Sequence, residues 1–234
     1  MEIGSPQIEL VYKVFAQEFK INRTPVVDLI EIQTKDPFKV LITTILSART
    51  KDETTAAAAK RLFESVKNPR DLKNISEDKL QKLIFPVGFY RMKARHLKEL
   101  PLVLEKHFGG KIPADVDELT KLPGVGRKTA NLVVAVAFKK PAVCVDIHVH
   151  RIFNRLGYLK TSTPFETEME LRRTLPVKFW ITFNSYFVSY GQHTCLPVKP
   201  KCSECRVSGY CAFLWNNVPT VKPPKNLKPK RQKS

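Results

Sequence analysis

An all-α fold is what this sequence predicts, on three observations. Apolar residues recur at helical spacing along most of the chain. Helix-start signals recur with them, capping residues followed by Pro or by acids within the next three positions. No segment alternates apolar and polar residues for long enough to argue a strand, Ala142–Val145 being too short.

Taken in order, residues 8–20 place Ile8, Val11, Val14, Phe15 and Phe19 on one stripe and predict a first amphipathic helix. Asp36-Pro37 supplies an N-cap and a Pro at the first helical position, opening a nearly all-apolar and therefore buried helix from Phe38 to about Ser47. Ser47–Asp52 interrupts it, with Asp52 expected to cap the next helix, Glu53–Val66. Ser76 with Glu77 and Asp78 starts another that must end near Pro86. After a turn at Val87–Arg91, a long helical pattern runs to Phe108, where Gly109-Gly110 stops it. Pro101 falls inside that pattern and predicts a kink or a break. Asp115 and Glu118 have capping-box spacing, and Thr129–Phe138 is an apolar helical run. Asp146–Leu156 reads as a helix ended by Gly157, and Thr163-Pro164 with Glu166 opens the next. The aromatic stripe Phe179, Trp180, Phe183, Tyr186, Phe187 and Tyr190 is expected in the core rather than as a base-stacking platform.

Between two of these helices lies Leu122-Pro123-Gly124-Val125-Gly126-Arg127-Lys128-Thr129-Ala130-Asn131. Gly124 and Gly126 tolerate positive φ and put no side chain in front of the backbone. The turn and the helix start after it can therefore offer unblocked N–H groups to a phosphate, with Arg127 and Lys128 beside them. The charge agrees: Lys+Arg 40 against Asp+Glu 22 leaves +18 in 234 residues, pointing to a polyanionic partner, nucleic acid before membrane. No apolar run approaches the ~20 residues needed to span a bilayer. The first residues do not read as a signal peptide, so an intracellular, reducing setting (cytoplasm or nucleoid) is expected. From Val221 the tail carries six basic residues, three prolines and no acid, and is expected to be disordered and to sample the DNA backbone.

Cys195, Cys202, Cys205 and Cys211 are spaced C-x6-C-x2-C-x5-C, so four thiols fall within 17 residues and can reach one centre. Zinc is the default for four thiolates and an iron–sulfur cluster the alternative; spacing does not separate them. Cys144 stands apart in an apolar stretch and reads as a small buried hydrophobe.

The stretch Leu122–Asn131 resembles the helix-hairpin-helix of the endonuclease III branch of DNA glycosylases. Val145-Asp146-Ile147-His148-Val149 is similar to that family's segment carrying its catalytic Asp, and the cysteine spacing is that of its [4Fe–4S] cluster. The resemblance runs roughly from Pro37 to Cys211. It implies a two-domain helix-hairpin-helix glycosylase fold: a helical barrel domain over residues 30–139, an iron–sulfur helical domain from 1–29 and 140–215, and a basic tail over 216–234. It further implies that Leu122, Gly124, Val125, Gly126 and Arg127 grip the DNA backbone and that Lys128 is the nucleophile. The partner is then double-stranded DNA with a damaged base or abasic site, bound by a monomer. Cross-linking by the cluster would fix Lys199, Lys201 and Arg206, which are expected to touch phosphates.

The implied chemistry is base excision followed by strand cleavage. A Lys amine attacks C1′, forms a Schiff base and permits β-elimination of the 3′ phosphate. The amine must shed its proton first; Arg127 and the helix N-terminus favour that, whereas a nearby Asp favours the ammonium. Asp146 then serves as a proton acceptor or as an anion stabilising the cationic sugar, and its place 18 residues after Lys128 (146 − 128) permits convergence. To expose C1′ the nucleotide must leave the stack, and the gap must be filled. The resemblance assigns that filling to Ser47–Asp52 and the turn at Phe89. Here Arg49 stands where the family often has Gln, and Phe89 where it has Leu, which leaves base preference open. Leu196-Pro197-Val198 is apolar where the family tends to have a basic residue, so that loop is expected to make fewer phosphate contacts. His148 reads as a structural hydrogen-bonding residue near Asp146.

Three readings compete: a bifunctional glycosylase and AP lyase acting on oxidised pyrimidines, a monofunctional mismatch glycosylase, and a non-enzymatic DNA-binding protein. Lys128 counts against the second, and Asp146, of no use to a pure binder, against the third.

Overall fold

The computed structural model describes residues 5–22 and 36–217. Among them the regular structure is helical: α1 Ser5–Ile21, α2 Pro37–Ser47, α3 Asp52–Ser65, α4 Pro69–Asn74, α5 Glu77–Ile84, α6 Tyr90–Phe108, α7 Val116–Leu119, α8 Arg127–Phe138, α9 Ile147–Leu156, α10 Pro164–Thr174, α11 Phe183–His193 and α12 Ala212–Asn217. The chain divides into two compact units, α2–α8 forming one and α1 with α9–α12 the other, with a division between Ala142 and Val143. The basic tail lies outside the described residues. Among them, no helix is long and apolar enough to cross a membrane.

The α2–α8 unit is built around α2, which is buried from Val40 to Leu46 and packs on α3, α6 and α8. A helix so apolar needs its start fixed, and the Asp36 carboxylate does this by accepting the Phe38 N–H at 2.9 Å, with Pro37 at the first position. Leu62, Leu80, Leu97, Leu104, Val133 and their neighbours close one continuous core around it.

Three local expectations differ from what is observed. Asp52 lies inside the first turn of α3; the capping position falls to Lys51, which makes no side-chain cap bond. An acid there still faces the positive end of the helix dipole. Helix α6 runs unbroken through the buried Pro101. Proline removes one donor, and the buried Leu97, Leu100 and Leu104 hold the helix on the core across the gap. Helix α4 was missed: Asn68 and Asp71 form a full capping box around Pro69, but six residues are too few to show a period.

In the other unit the aromatic stripe is core, as its spacing predicts. Phe153 of α9 stacks on Phe187 of α11 at 4.5 Å and 8°, and Phe15 of α1 stacks on Tyr190 at 3.8 Å. Helix α9 starts at the Asp146 cap and stops at Gly157, whose φ of 75° is one that glycine adopts without strain. Thr163 caps α10 by accepting from Glu166 N–H at 3.2 Å. Cys144 is fully buried, and its carbonyl accepts from Asn184 Nδ2 at 3.1 Å.

Candidate nucleic-acid interface and thiol site

The hairpin is anchored from below. Leu122 and Val125 are buried in the core, and the turn closes with Leu122 N–H to Leu119 carbonyl (3.1 Å) and Val125 N–H to Leu122 carbonyl (3.2 Å). Asp115 caps the preceding α7, accepting from Asp117 and Glu118 N–H groups at 2.8 and 3.1 Å. Gly124 has φ 74°, and a Cβ there would lie 2.7 Å from His96 Nδ1 on α6. Both the backbone angle and the contact therefore demand glycine. Gly126 caps α8 with no side-chain hydrogen bond and nothing within 4 Å of an added Cβ. The N-terminus of α8 is thus left without a side-chain cap, the arrangement that suits an anion. Arg127 and Lys128 stand in its first turn. Lys128 is exposed, and Arg127 reaches Asp117 at 3.5 Å in a partly exposed pair.

The two segments expected to fill the gap in DNA are brought together in this same unit. Arg49 and Phe89 are both exposed, both hold left-handed backbone (φ 53° and 57°), and the Arg49 guanidinium lies 5.6 Å from the Phe89 ring centre. Gly88 passes so close that an added Cβ would sit 2.5 Å from the Arg49 carbonyl. Beneath them Lys93, which no sequence motif marks, donates from Nζ to the carbonyls of Leu46 (2.8 Å) and Ala48 (2.6 Å).

In the other unit, Asp146 is buried and caps α9, with Oδ1 accepting from His148 and Val149 N–H groups at 2.9 Å each. The cap fixes the carboxylate's position. His148 Nδ1 accepts from Arg151 at 3.0 Å, and a Cβ added at Gly191 would come within 2.7 Å of that nitrogen.

The four cysteines of the array are unpaired thiols that border one cavity with Arg155, Thr194, Pro200, Lys201 and Phe213. Among the described residues no three His, Cys, Asp or Glu side chains are arranged to hold a single metal ion. Two arginines on one face of α9 hold the loop. Arg151 donates to the Cys195 carbonyl at 2.7 Å, and Arg155 to the Leu196 and Pro197 carbonyls at 2.7 and 2.9 Å and to Cys195 Sγ at 3.4 Å. Tyr190 donates its hydroxyl to Cys205 Sγ at 3.3 Å. Burial pushes the Cys205 thiol up, and the Cys211 thiol up to about 11, so a metal centre must displace protons to bind here. The donor chemistry, four sulfurs around one opening with cationic and hydroxyl donors on them, fits an iron–sulfur group.

Of the basic residues expected at phosphates, Lys199 and Lys201 are exposed, with Lys201 4.0 Å from Glu204. Arg206 is engaged elsewhere, donating to Glu18 at 2.9 Å and Gln17 at 3.1 Å on α1, so a phosphate would compete with that pair.

A family model of the HhH-GPD superfamily base excision DNA repair proteins matches residues 42–177, more than half of the chain, and the chain belongs to that superfamily. It is similar to endonuclease III of Thermotoga maritima, 49% identical over 178 residues that cover 76% of this chain and 84% of that protein. It is 38% identical over 205 residues to endonuclease III homolog 2, chloroplastic, of Arabidopsis thaliana; the match covers 83% of this chain but only about half (53%) of that longer relative. A solved endonuclease III trapped as a covalent intermediate with DNA matches with a TM-score of 0.81 at 34% identity, over 91% of this chain and 97% of that one. A thermostable thymine-DNA glycosylase matches with a TM-score of 0.80 at 26% identity, over 90% and 98%. The helical fold and the family are those the hairpin and the cysteine array led us to expect.

Gly124→Ala should weaken binding to undamaged duplex roughly tenfold, the factor that about 1.4 kcal/mol of strain or lost contact produces. Fluorescence anisotropy at fixed salt measures this; unchanged affinity would mean that the hairpin's backbone path is not what grips a phosphate.

Proposed function

We propose that this chain removes oxidised pyrimidines from double-stranded DNA and then cuts the strand at the abasic site, with Lys128 as nucleophile. Its class is DNA glycosylase and AP lyase of base excision repair, working as a monomer inside the cell. The observation that carries the reading is an exposed lysine in the first turn of a helix left without a side-chain cap, directly after a hairpin whose glycines clear the backbone.

The hairpin binds a phosphate next to the lesion through N–H groups of the α8 N-terminus, Arg127 adding charge. The nucleotide leaves the stack at a cost of a few kcal/mol, which Arg49 and Phe89 offset by occupying the gap, the guanidinium bonding the orphaned base and the ring stacking on its neighbours. The Lys128 amine, having lost a proton, attacks C1′; the N-glycosidic bond breaks and the base leaves with its electron pair and takes up a proton. A second proton passes from the nitrogen to O4′ as the C1′–O4′ bond breaks and the ring opens, the nitrogen lone pair forming the C1′=N bond of the Schiff base. Loss of a C2′ proton then expels the 3′ phosphate by β-elimination, and water releases the lysine. Asp146 supplies the carboxylate that accepts a proton or steadies the cationic sugar; its cap bonds keep it in one position, a requirement of both roles.

Cys195, Cys202, Cys205 and Cys211 are proposed to hold a [4Fe–4S] cluster. When bound it supplies a covalent cross-link for residues 195–211, and no step of the reaction passes through it. Arg151, Arg155 and Tyr190 orient the sulfurs and loop carbonyls for it.

The likeness to a thymine-DNA glycosylase supports a second reading, monofunctional removal of a mismatched base. The two part at Lys128, which hydrolysis by water alone does not need.

Borohydride added during incubation with a thymine glycol duplex should trap a covalent complex that Lys128→Ala abolishes and a substitution at the exposed Lys60 leaves intact; free base without trapping would favour the monofunctional reading. The purified protein should carry roughly four iron and four acid-labile sulfide per chain, as its cluster type requires, and Cys202→Ser should lose them. One tightly held zinc and no sulfide would overturn the cluster assignment.

A further inference from the structure

Lys93, at the end of the first turn of α6, is 5% exposed and spends its ammonium on oxygens of another segment: the carbonyls of Leu46 (2.8 Å) and Ala48 (2.6 Å) and Thr50 Oγ1 (3.3 Å). Those atoms bracket Arg49. Thr50 Oγ1 also accepts the Gly88 N–H at 3.1 Å, and the Lys93 N–H donates to the Phe89 carbonyl at 3.0 Å. One buried cation therefore ties the turn carrying Arg49 to the turn carrying Phe89, at the point where both backbones are left-handed and the two side chains meet. Left-handed backbone at non-glycine residues persists only where the surroundings over-determine it. An ammonium suits this task because it has three donors to aim at three acceptors and, unlike a neutral donor, bonds each carbonyl with charge assistance.

We propose that Lys93 is a positioning residue for lesion extrusion, holding Arg49 and Phe89 as one preformed unit that enters the gap left by the displaced nucleotide. The inference rests on the gap-filling role given to those two residues above. Burial lowers the ammonium to about 8, so the cation is kept at neutral pH against a desolvation cost, as a group tied to three oxygens is. No acid is needed for the arrangement: carbonyl dipoles and a hydroxyl receive the charge.

The test compares two substrates in single-turnover assays: excision of thymine glycol from a duplex, which requires opening the stack, and cleavage of an abasic site in single-stranded DNA, which does not. Lys93→Met should slow the duplex reaction roughly 10- to 100-fold, as misplaced positioning groups do, and leave the single-strand reaction within about twofold. Should Lys93→Met fail to fold, Thr50→Val, which keeps the cation and removes the acceptor shared with Gly88, should show the same split to a smaller degree. Equal loss of both reactions in these variants would mean a merely structural role and overturn the inference. A double variant, Arg49→Ala with Phe89→Ala, separates the two claims. If it loses duplex excision selectively while Lys93→Met does not, gap filling stands and the role of Lys93 falls. If it keeps full duplex excision, gap filling itself falls and takes the inference with it.

Discussion

Backbone amides can bind a phosphate only where no side chain stands in front of them and where the turn that carries them cannot move away. In the Leu122–Lys128 hairpin these two demands are met by different residues. Buried Leu122 and Val125 fasten the turn to the core, Gly124 fits a positive φ against His96, and Gly126 begins α8 with neither a capping bond nor a Cβ. The proposed chemistry depends on this: Lys128 follows two residues after Gly126, so the helix start proposed to receive the phosphate also sets where the proposed nucleophile stands. A strong net positive charge raises the encounter rate with DNA, but it cannot supply that register.

The second constraint is the C-terminal thiol loop, residues 195–211, which contributes little to the hydrophobic core: Val207 is its fully buried apolar side chain. Its path is fixed instead by polar groups from α9 and α11, the guanidinium groups of Arg151 and Arg155 and the hydroxyl of Tyr190. The cluster proposed for these cysteines would displace protons from buried thiols and complete the fixation. The Asp146 cap and Arg151 sit on the same helix, so the segment that presents the carboxylate also holds the loop.

What the sequence made legible follows from how local the physics is. Asp36-Pro37, Ser76, Asp115 and Thr163 each cap the helix expected of them, because a cap bond spans two or three residues. The hairpin glycines and the cysteine spacing are local in the same sense. Lys93, His96 and Arg155 were not legible. Their partners lie about 40 residues away in the chain, or fewer in the case of His96 and Gly124, and a side chain bonded to distant carbonyls leaves no period or motif. Arg151 and Arg155 had one available sign: with His148 they fall at three- and four-residue spacing on one face of α9. Pro101 does not break α6, because propensity describes an isolated helix, whereas here buried leucines on either side of the proline hold it on the core.

The central claim is that one lysine of the many in this basic chain becomes bonded to DNA. Reducing the covalent complex, digesting it and sequencing the modified peptide by mass spectrometry asks which one. The account requires the sugar remnant on Lys128, in the peptide that follows Gly126. An adduct on the N-terminal amine, or on any other lysine, would contradict it and would leave the hairpin as a DNA grip with the chemistry elsewhere.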